Sequence, residues 1–468
     1  MQHSKLLDLL RTFTRRDLRR FTAFIQSPYF NTDAEVVALF AHLRGLSPRF
    51  PERKLQREVI WRAVYPDQPY DEKALAYHQS HLLQLGEQFL AFERVQSRPQ
   101  ELSLHALVAV EDRGLEKHAN LARKRLHKQV DAYAFRTEEY YRMQYETTAV
   151  EIMDQSRRQV RTYDRFLQEH VRHLDHFYLA ARLRLTCELV NRQNILAQQY
   201  APGQVDALLD YLAAQGADQV PAVAVYHCVL LLLTSPEGDT YFLQLKGLLQ
   251  AHVAVVPDPE LAEIYSYVQN FCILRIRSGR LEYLTELFAV YQQSLAKGYF
   301  LENGVLSPWK YKNIASVALR VGEFAWVQNF IRDYKEALPT EFRETAYAYN
   351  QAFLCYQQGQ LKQALRNLRD VEFNDVFYSL DTRKMMLMIY FEQGEEEPML
   401  SLIAAFRTYL RRNKLISEKN RRAYWNFIDL VNAIHRAEQT VEGLQIAIRS
   451  TQPLVEEQWL VQMTVRGF

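Results

Sequence analysis

The chain has 468 residues, 48% of them hydrophobic, enough for two or three cores or one long stack. Its 57 Lys and Arg against 55 Asp and Glu leave a net charge of +2, too mild to require a nucleic-acid partner. With 15 Gly, 15 Pro and no run of alternating β-branched residues, the composition reads as all-α.

The first residues, MQHSKLLDLL, carry neither a long apolar core nor a cleavage pattern, which predicts no secretory signal. The longest apolar run, Val229 to Leu233, is too short to cross a bilayer. Cys187, Cys228, Cys272 and Cys355 lie far apart inside apolar runs, which predicts free buried thiols and a reducing cytoplasm.

Residues 1–95 read as an N-terminal helical module. Thr14-Arg-Arg-Asp17 has the spacing of a capping box, and Leu18, Phe21, Phe24 and Ile25 follow as a buried stripe. Arg15, Arg16, Arg19 and Arg20 fall on the other side. Ser27-Pro-Tyr-Phe-Asn31 breaks the helix, and Asp33 is placed to cap the next, which runs through Val36, Val37, Leu39, Phe40 and Leu43. A second break, Tyr65 to Asp71, precedes a helix from Glu72 to Phe92 with Leu75, His78, Leu82, Leu83, Leu85 and Phe89 on its buried face.

Residues 96–100 are the linker candidate, and 101–260 hold long helices and degenerate helical pairs. Three long helices are expected from Leu102 to Leu196, with stops at Ala201-Pro-Gly203 and Ser235-Pro-Glu-Gly238. The first 130 residues carry 21 Lys and Arg against 15 Asp and Glu, so the positive charge is concentrated there.

The clearest pattern is helix, Gly turn, helix over residues 345–371. Tyr349, Ala352, Phe353 and Tyr356 make one stripe, Gly359 closes the helix, and Leu361, Ala364, Leu365 and Leu368 start another. Gly279, Gly322 and Gly394 repeat the turn at spacings of 43, 37 and 35 residues. Five residues after each Gly stand Leu284, Val327, Ala364 and Met399; nine after stand Phe288, Ile331, Leu368 and Ile403. On these positions residues 261–410 resemble tetratricopeptide repeats, whose unit is about 34 residues of helix–turn–helix. The SPYFN break, the YPDQPYD turn, the helix bearing Ser80, Leu82, Leu83, Phe89 and Leu90, and Trp459-Leu460 resemble a group of uncharacterised bacterial helical-repeat proteins. No activity is carried over from that group.

The resemblance implies a right-handed α-solenoid of helix–turn–helix repeats preceded by the N-terminal module, with residues 411–468 capping the stack. It also implies a concave face lined by the first helix of each unit. The groove positions are Gln269 and Arg277, Lys312 and Arg320, Tyr349 and Gln357, and Lys384 and Glu392.

No chemistry-bearing motif competes with that groove. His170, His173 and His176 sit at i, i+3 and i+6, so the third drifts round the helix; with no Cys or H-E-x-x-H beside them they read as a solvated polar face. Arg123-Lys-Arg125 and Arg421-Arg422 read as exposed basic runs. Glu138-Glu139 and Glu395-Glu396-Glu397 read as solvent-facing charge. Neither a GxGxxG nor a GxxxxGK[ST] loop is present, and no nucleophile elbow marks a hydrolase.

The expectation is a non-enzymatic scaffold that binds a protein or peptide, with no cofactor and no metal. The alternative is a nucleic-acid-associated regulator that contacts phosphates through Arg15, Arg16, Arg19 and Arg20. Residues 1–95 lack a compact turn and recognition helix.

Overall fold

A computed structural model describes residues 4–157, 163, 165–195, 199–215, 220–369, 375–436 and 440–466. These residues are overwhelmingly α-helical, and no described helix is long and apolar enough to cross a membrane. Leu196, where the long helices were expected to stop, and residues 370–371 lie outside the described residues. The chain divides into two compact units, Met1–Ala181 and Arg182–Phe468.

In the first unit, α1 (Lys5–Arg11), α2 (Arg15–Ile25), α3 (Ala34–Leu46), α4 (Arg57–Val64) and α5 (Glu72–Gln96) enclose one hydrophobic cluster from Leu6 to Phe89. The sequence starts these helices by their caps. Thr14 and Asp17 form the reciprocal capping box of α2, while Asp33 and Asp71 cap α3 and α5. Phenylalanines fill the middle: the Phe21 ring lies 4.8 Å from Phe40 and 5.2 Å from Phe89, tilted or edge-on geometries favourable by about 0.5–1.5 kcal/mol each. Gly86 lets α1 approach α5, since a Cβ there would lie 2.6 Å from Leu9.

Beyond α5 the expected three long helices are four: α6 (Pro99–Glu111), α7 (Glu116–Asp131), α8 (Glu138–Arg157) and α9 (Arg165–Ile195). The extra break falls at Gly114, whose φ of +68° closes α6 in the left-handed region. A satellite core of Leu107, Ala119, Leu126, Val130, Met143 and Val150 holds α6, α7 and α8 together.

The second unit continues with α10 (Val205–Gln215), α11 (Pro221–Thr234), α12 (Gly238–His252), α13 (Asp258–Arg277) and α14 (Tyr283–Ala296). After them come α15 (Pro308–Arg320), α16 (Phe324–Asp333), α17 (Arg343–Gln357), α18 (Leu361–Arg369), α19 (Val376–Gln393) and α20 (Glu396–Arg412). The chain closes with α21 (Glu418–His435), α22 (Val441–Ser450) and α23 (Glu457–Arg466).

The four expected turn glycines adopt the same conformation, with φ of +92° at Gly279, +85° at Gly322, +73° at Gly359 and +69° at Gly394. At each, the following amide bonds back five residues: Arg280 to Arg275, Glu323 to Ala318, Gln360 to Cys355 and Glu395 to Tyr390, at 2.8–3.0 Å. This is the Schellman closure, which satisfies the last carbonyls of a helix and asks for a residue without Cβ strain. All eight apolar positions that follow these glycines are buried, from Leu284 and Phe288 to Met399 and Ile403. The first helices also pack on one another, α15 on α17 and α17 on α19.

One small departure from helix is a two-stranded antiparallel hairpin, β1 (Leu301–Glu302) with β2 (Val305–Leu306). Its turn is Asn303-Gly304, with φ of +53° and +82°. Asn-Gly is the residue pair that tolerates two successive left-handed positions, so the signal was present in four residues too short to read as a sheet.

Candidate functional site

The first helices of the second unit bring four of the eight groove positions into hydrogen-bonded or ion-paired networks. Lys312 on α15 places Nζ 2.7 Å from Asp381 Oδ2 on α19. Lys384, one turn further along α19, lies 3.5 Å from Asp381 Oδ1 and 2.6 Å from Glu456 Oε1. Tyr424 on α21 donates its hydroxyl to Asp381 Oδ1 at 2.8 Å. Tyr349 and Tyr378 supply aromatic faces to Lys312, at 5.8 and 5.0 Å from ring centroid to Nζ.

Electrostatics hold Asp381 and Lys384 in their charged forms. Burial opposes the Asp381 charge, but Lys384 and Lys312 outweigh it and hold the carboxyl below the ordinary range. Burial likewise opposes the Lys384 charge, and Glu456 and Asp381 overcome it, so the ammonium is held well above its usual value. Burial pushes the Tyr349 and Tyr424 hydroxyls up, with Asp381 adding to both. Two ammoniums meet two carboxylates, and the cluster neutralises itself.

Glu392 belongs to a second network, accepting from Tyr356 Oη at 2.5 Å and Trp459 Nε1 at 2.7 Å. This ties α23 to α17 and α19. Gln269 is buried and sits apart from the Asp381 cluster: its Nε2 donates to Ser294 and its Oε1 accepts from Lys310 at 3.1 Å. Lys310 in turn lies over the Phe300 ring, 4.7 Å from its centroid, and burial lowers its pKa.

Arg277, Arg320 and Gln357 are exposed at the last turns of α13, α15 and α17. A cation there complements the negative end of the helix dipole. Neither arginine has an ion pair among the described residues. The expected groove therefore contains two kinds of position: inner ones consumed by internal pairing and outer ones that face solvent. Asp381, Tyr424 and Glu456 are not among the positions the sequence points to; the hint it carries is an acid at i−3 from Lys384 on the same helix.

On the N-terminal module, Arg15, Arg16 and Arg19 are exposed on α2, whereas Arg20 is ion-paired to Glu93 at 2.8 Å. Arg16, Arg20 and Arg94 line a shallow groove of about 560 Å³ that also holds Asp17 and Glu93. Hydrogen bonds from Thr14 hold Asp17 below the usual carboxylate range, so the groove carries both signs of charge.

Three expectations are corrected here. His170, His173 and His176 are not a solvated face. The His170 ring stacks on Tyr145 at 4.2 Å, His176 meets Tyr141 edge-on, and burial drives His173 down to about 4. Arg123 is likewise internal rather than part of an exposed basic run. Its guanidinium lies 2.6 Å from Glu111, 3.0 Å from Glu151 and 3.4 Å from Asp154, and its side chain is 14% exposed. The histidine and Arg123 placements follow from packing of α8 against its neighbours, which helical spacing does not reveal. Glu395, Glu396 and Glu397 are exposed as expected, whereas Glu139 is part-buried and paired with Arg142.

The four cysteines are free and buried, and desolvation raises their thiols, to about 12 for Cys228 and Cys272. Thiols so placed are poor nucleophiles. Comparison with known proteins returns no similar family model, no similar curated protein and no similar solved structure.

Proposed function

We propose that the protein is a non-enzymatic scaffold whose second unit is a right-handed, tetratricopeptide-like solenoid that binds a protein or peptide. The reading rests on one observation: the same Schellman-closed helix–Gly–helix turn is used four times, with the first helices α15, α17 and α19 packed in succession. Such stacking builds extended surface rather than a closed, water-excluding pocket. Of the four cations at the expected groove positions, Arg277 and Arg320 are left to meet a carboxylate or an extended backbone, because Lys312 and Lys384 already have partners.

The test is affinity capture from native lysate with the full chain, with and without nuclease, beside an Arg277→Glu/Arg320→Glu variant. A stoichiometric protein that survives nuclease and is lost by the variant supports the scaffold. Material lost on nuclease treatment, with binding that falls steeply as salt rises, would transfer the role to Arg15, Arg16 and Arg19. That second reading is favoured by their exposure and opposed by the acids inside the adjoining groove.

A further inference from the structure

The Ser27–Asn31 break does more than end α2. Asn31 is buried, accepts from the Asp33 amide at 3.0 Å, and donates to the carbonyls of Ile25 at 2.9 Å and Asp33 at 3.1 Å. Asp33 is thereby held at the N-cap of α3, where Oδ1 accepts from the amides of Glu35 and Val36. Its second oxygen is turned to α5 and lies 3.5 Å from His81 Nδ1. Glu35 sends Oε2 to the same helix, 2.8 Å from His78 Nε2. His78 and His81, three residues apart, share one face of α5. Donor atoms of Asp33, Glu35 and His78 all lie within 4.8 Å of one another.

Two details go beyond imidazole–carboxylate pairing. First, His81 Nδ1 is buried and has no hydrogen-bond partner among the described residues. Its separation from Asp33 Oδ2 matches the edge of a tetrahedron, about 3.3 Å for metal bonds of about 2.0 Å. Second, His78, with a side chain 8% exposed, has Nδ1 held 2.8 Å from the Tyr65 hydroxyl, which also reaches the Glu35 carbonyl at 3.3 Å. That chain is the outer support a metal-binding imidazole uses: once Nε2 gives up the proton it points at Glu35, Nδ1–H would donate to Tyr65 Oη, Tyr65 to the carbonyl, and Nε2 would offer its lone pair to an ion.

We propose that Asp33, Glu35, His78 and His81 form a binding site for a divalent first-row transition ion, with zinc as its representative, that clips the start of α3 to α5. Two imidazoles select against magnesium and calcium, which take oxygen ligands. Two carboxylates balance the charge of the ion. Three donors, from Asp33, Glu35 and His78, already lie together; binding needs a change of His78 tautomer, rotation of the half-exposed Glu35, and movement of the His81 ring from its place beside Asp33 toward the other two.

The full chain, stripped with a chelator and dialysed, is titrated with zinc against a chromophoric competitor and with cobalt by visible absorption. One equivalent of zinc is expected, unaffected by millimolar magnesium. At least tenfold weaker binding is expected in both His81→Ala and Glu35→Gln, with a cobalt spectrum that changes in each. His118→Ala, at an exposed histidine elsewhere in the unit, leaves affinity unchanged. If His81→Ala does not fold, Glu35→Gln at its half-exposed position carries the comparison. Absence of stoichiometric zinc, or an affinity that Glu35→Gln leaves unchanged, overturns the site.

Discussion

Replacing Asp381 by Asn keeps the shape of the side chain and removes the one carboxylate that Lys312 and Lys384 share. At 2.7 Å, the Lys312 pair alone has a Coulomb attraction of roughly 6 kcal/mol at an effective dielectric of 20. Most of that repays the desolvation of the two ions. Taking away one partner leaves the desolvation uncompensated, which typically costs about 3–5 kcal/mol. Side-chain exposures of 14% for Lys312 and 17% for Asp381 admit some water and place the expected loss near the lower end, about 3 kcal/mol.

Denaturant unfolding followed by tryptophan fluorescence in a Trp61→Phe background isolates the effect, because the other four tryptophans, Trp309, Trp326, Trp425 and Trp459, all belong to the second unit. Asp429→Asn is the control, since its pair with Arg407 is solvent-exposed and contributes no more than about 1 kcal/mol. The folded-state pKa of Asp381 is depressed, so its contribution is present above the ordinary value of 3.8 and is lost as pH falls through the folded value. The difference between wild type and Asp381→Asn is therefore full at pH 7 and shrinks only below about pH 4. A loss no larger than that of Asp429→Asn would refute the reasoning.

Two further outcomes follow from the same physics. Arg123→Met removes the cation that Glu111, Glu151 and Asp154 share, leaving Glu111 with Arg157 and Glu151 with His127, and is expected to cost about 3 kcal/mol, the lower end for a broken buried pair, read as a drop in the unfolding midpoint of the first unit. Glu111 already has its carboxyl raised by burial, so the destabilisation eases as pH falls through its folded value and the charge is lost. Gly359→Ala places a Cβ in open space at φ +73°, so only backbone strain acts; a loss of about 1 kcal/mol is expected by urea titration, and no loss would contradict a left-handed cap.

The sequence alone determined what short-range stereochemistry controls. A left-handed helix cap needs Gly, so Gly279, Gly322, Gly359 and Gly394 announced their turns, and apolar residues five and nine positions later had to be buried. Thr14–Asp17 and Asp33 announced helix starts because a cap is satisfied within three residues. Gly114 and Asn303-Gly304 carry the same kind of signal more faintly, the first inside a charged run and the second in a hairpin of four strand residues.

Only the tertiary structure decided which charged side chains are consumed by one another. Lys312 meets Asp381 across 69 residues and Lys384 meets Glu456 across 72, and no periodicity encodes such a meeting. The same holds for His78 and His81: an H-x-x-H pair was as visible there as at 170–176. Its significance depends on Asp33 and Glu35 arriving from another helix, held in place by the buried Asn31. Chemistry carried by one turn of helix is legible in the chain, and chemistry carried between helices is set by packing.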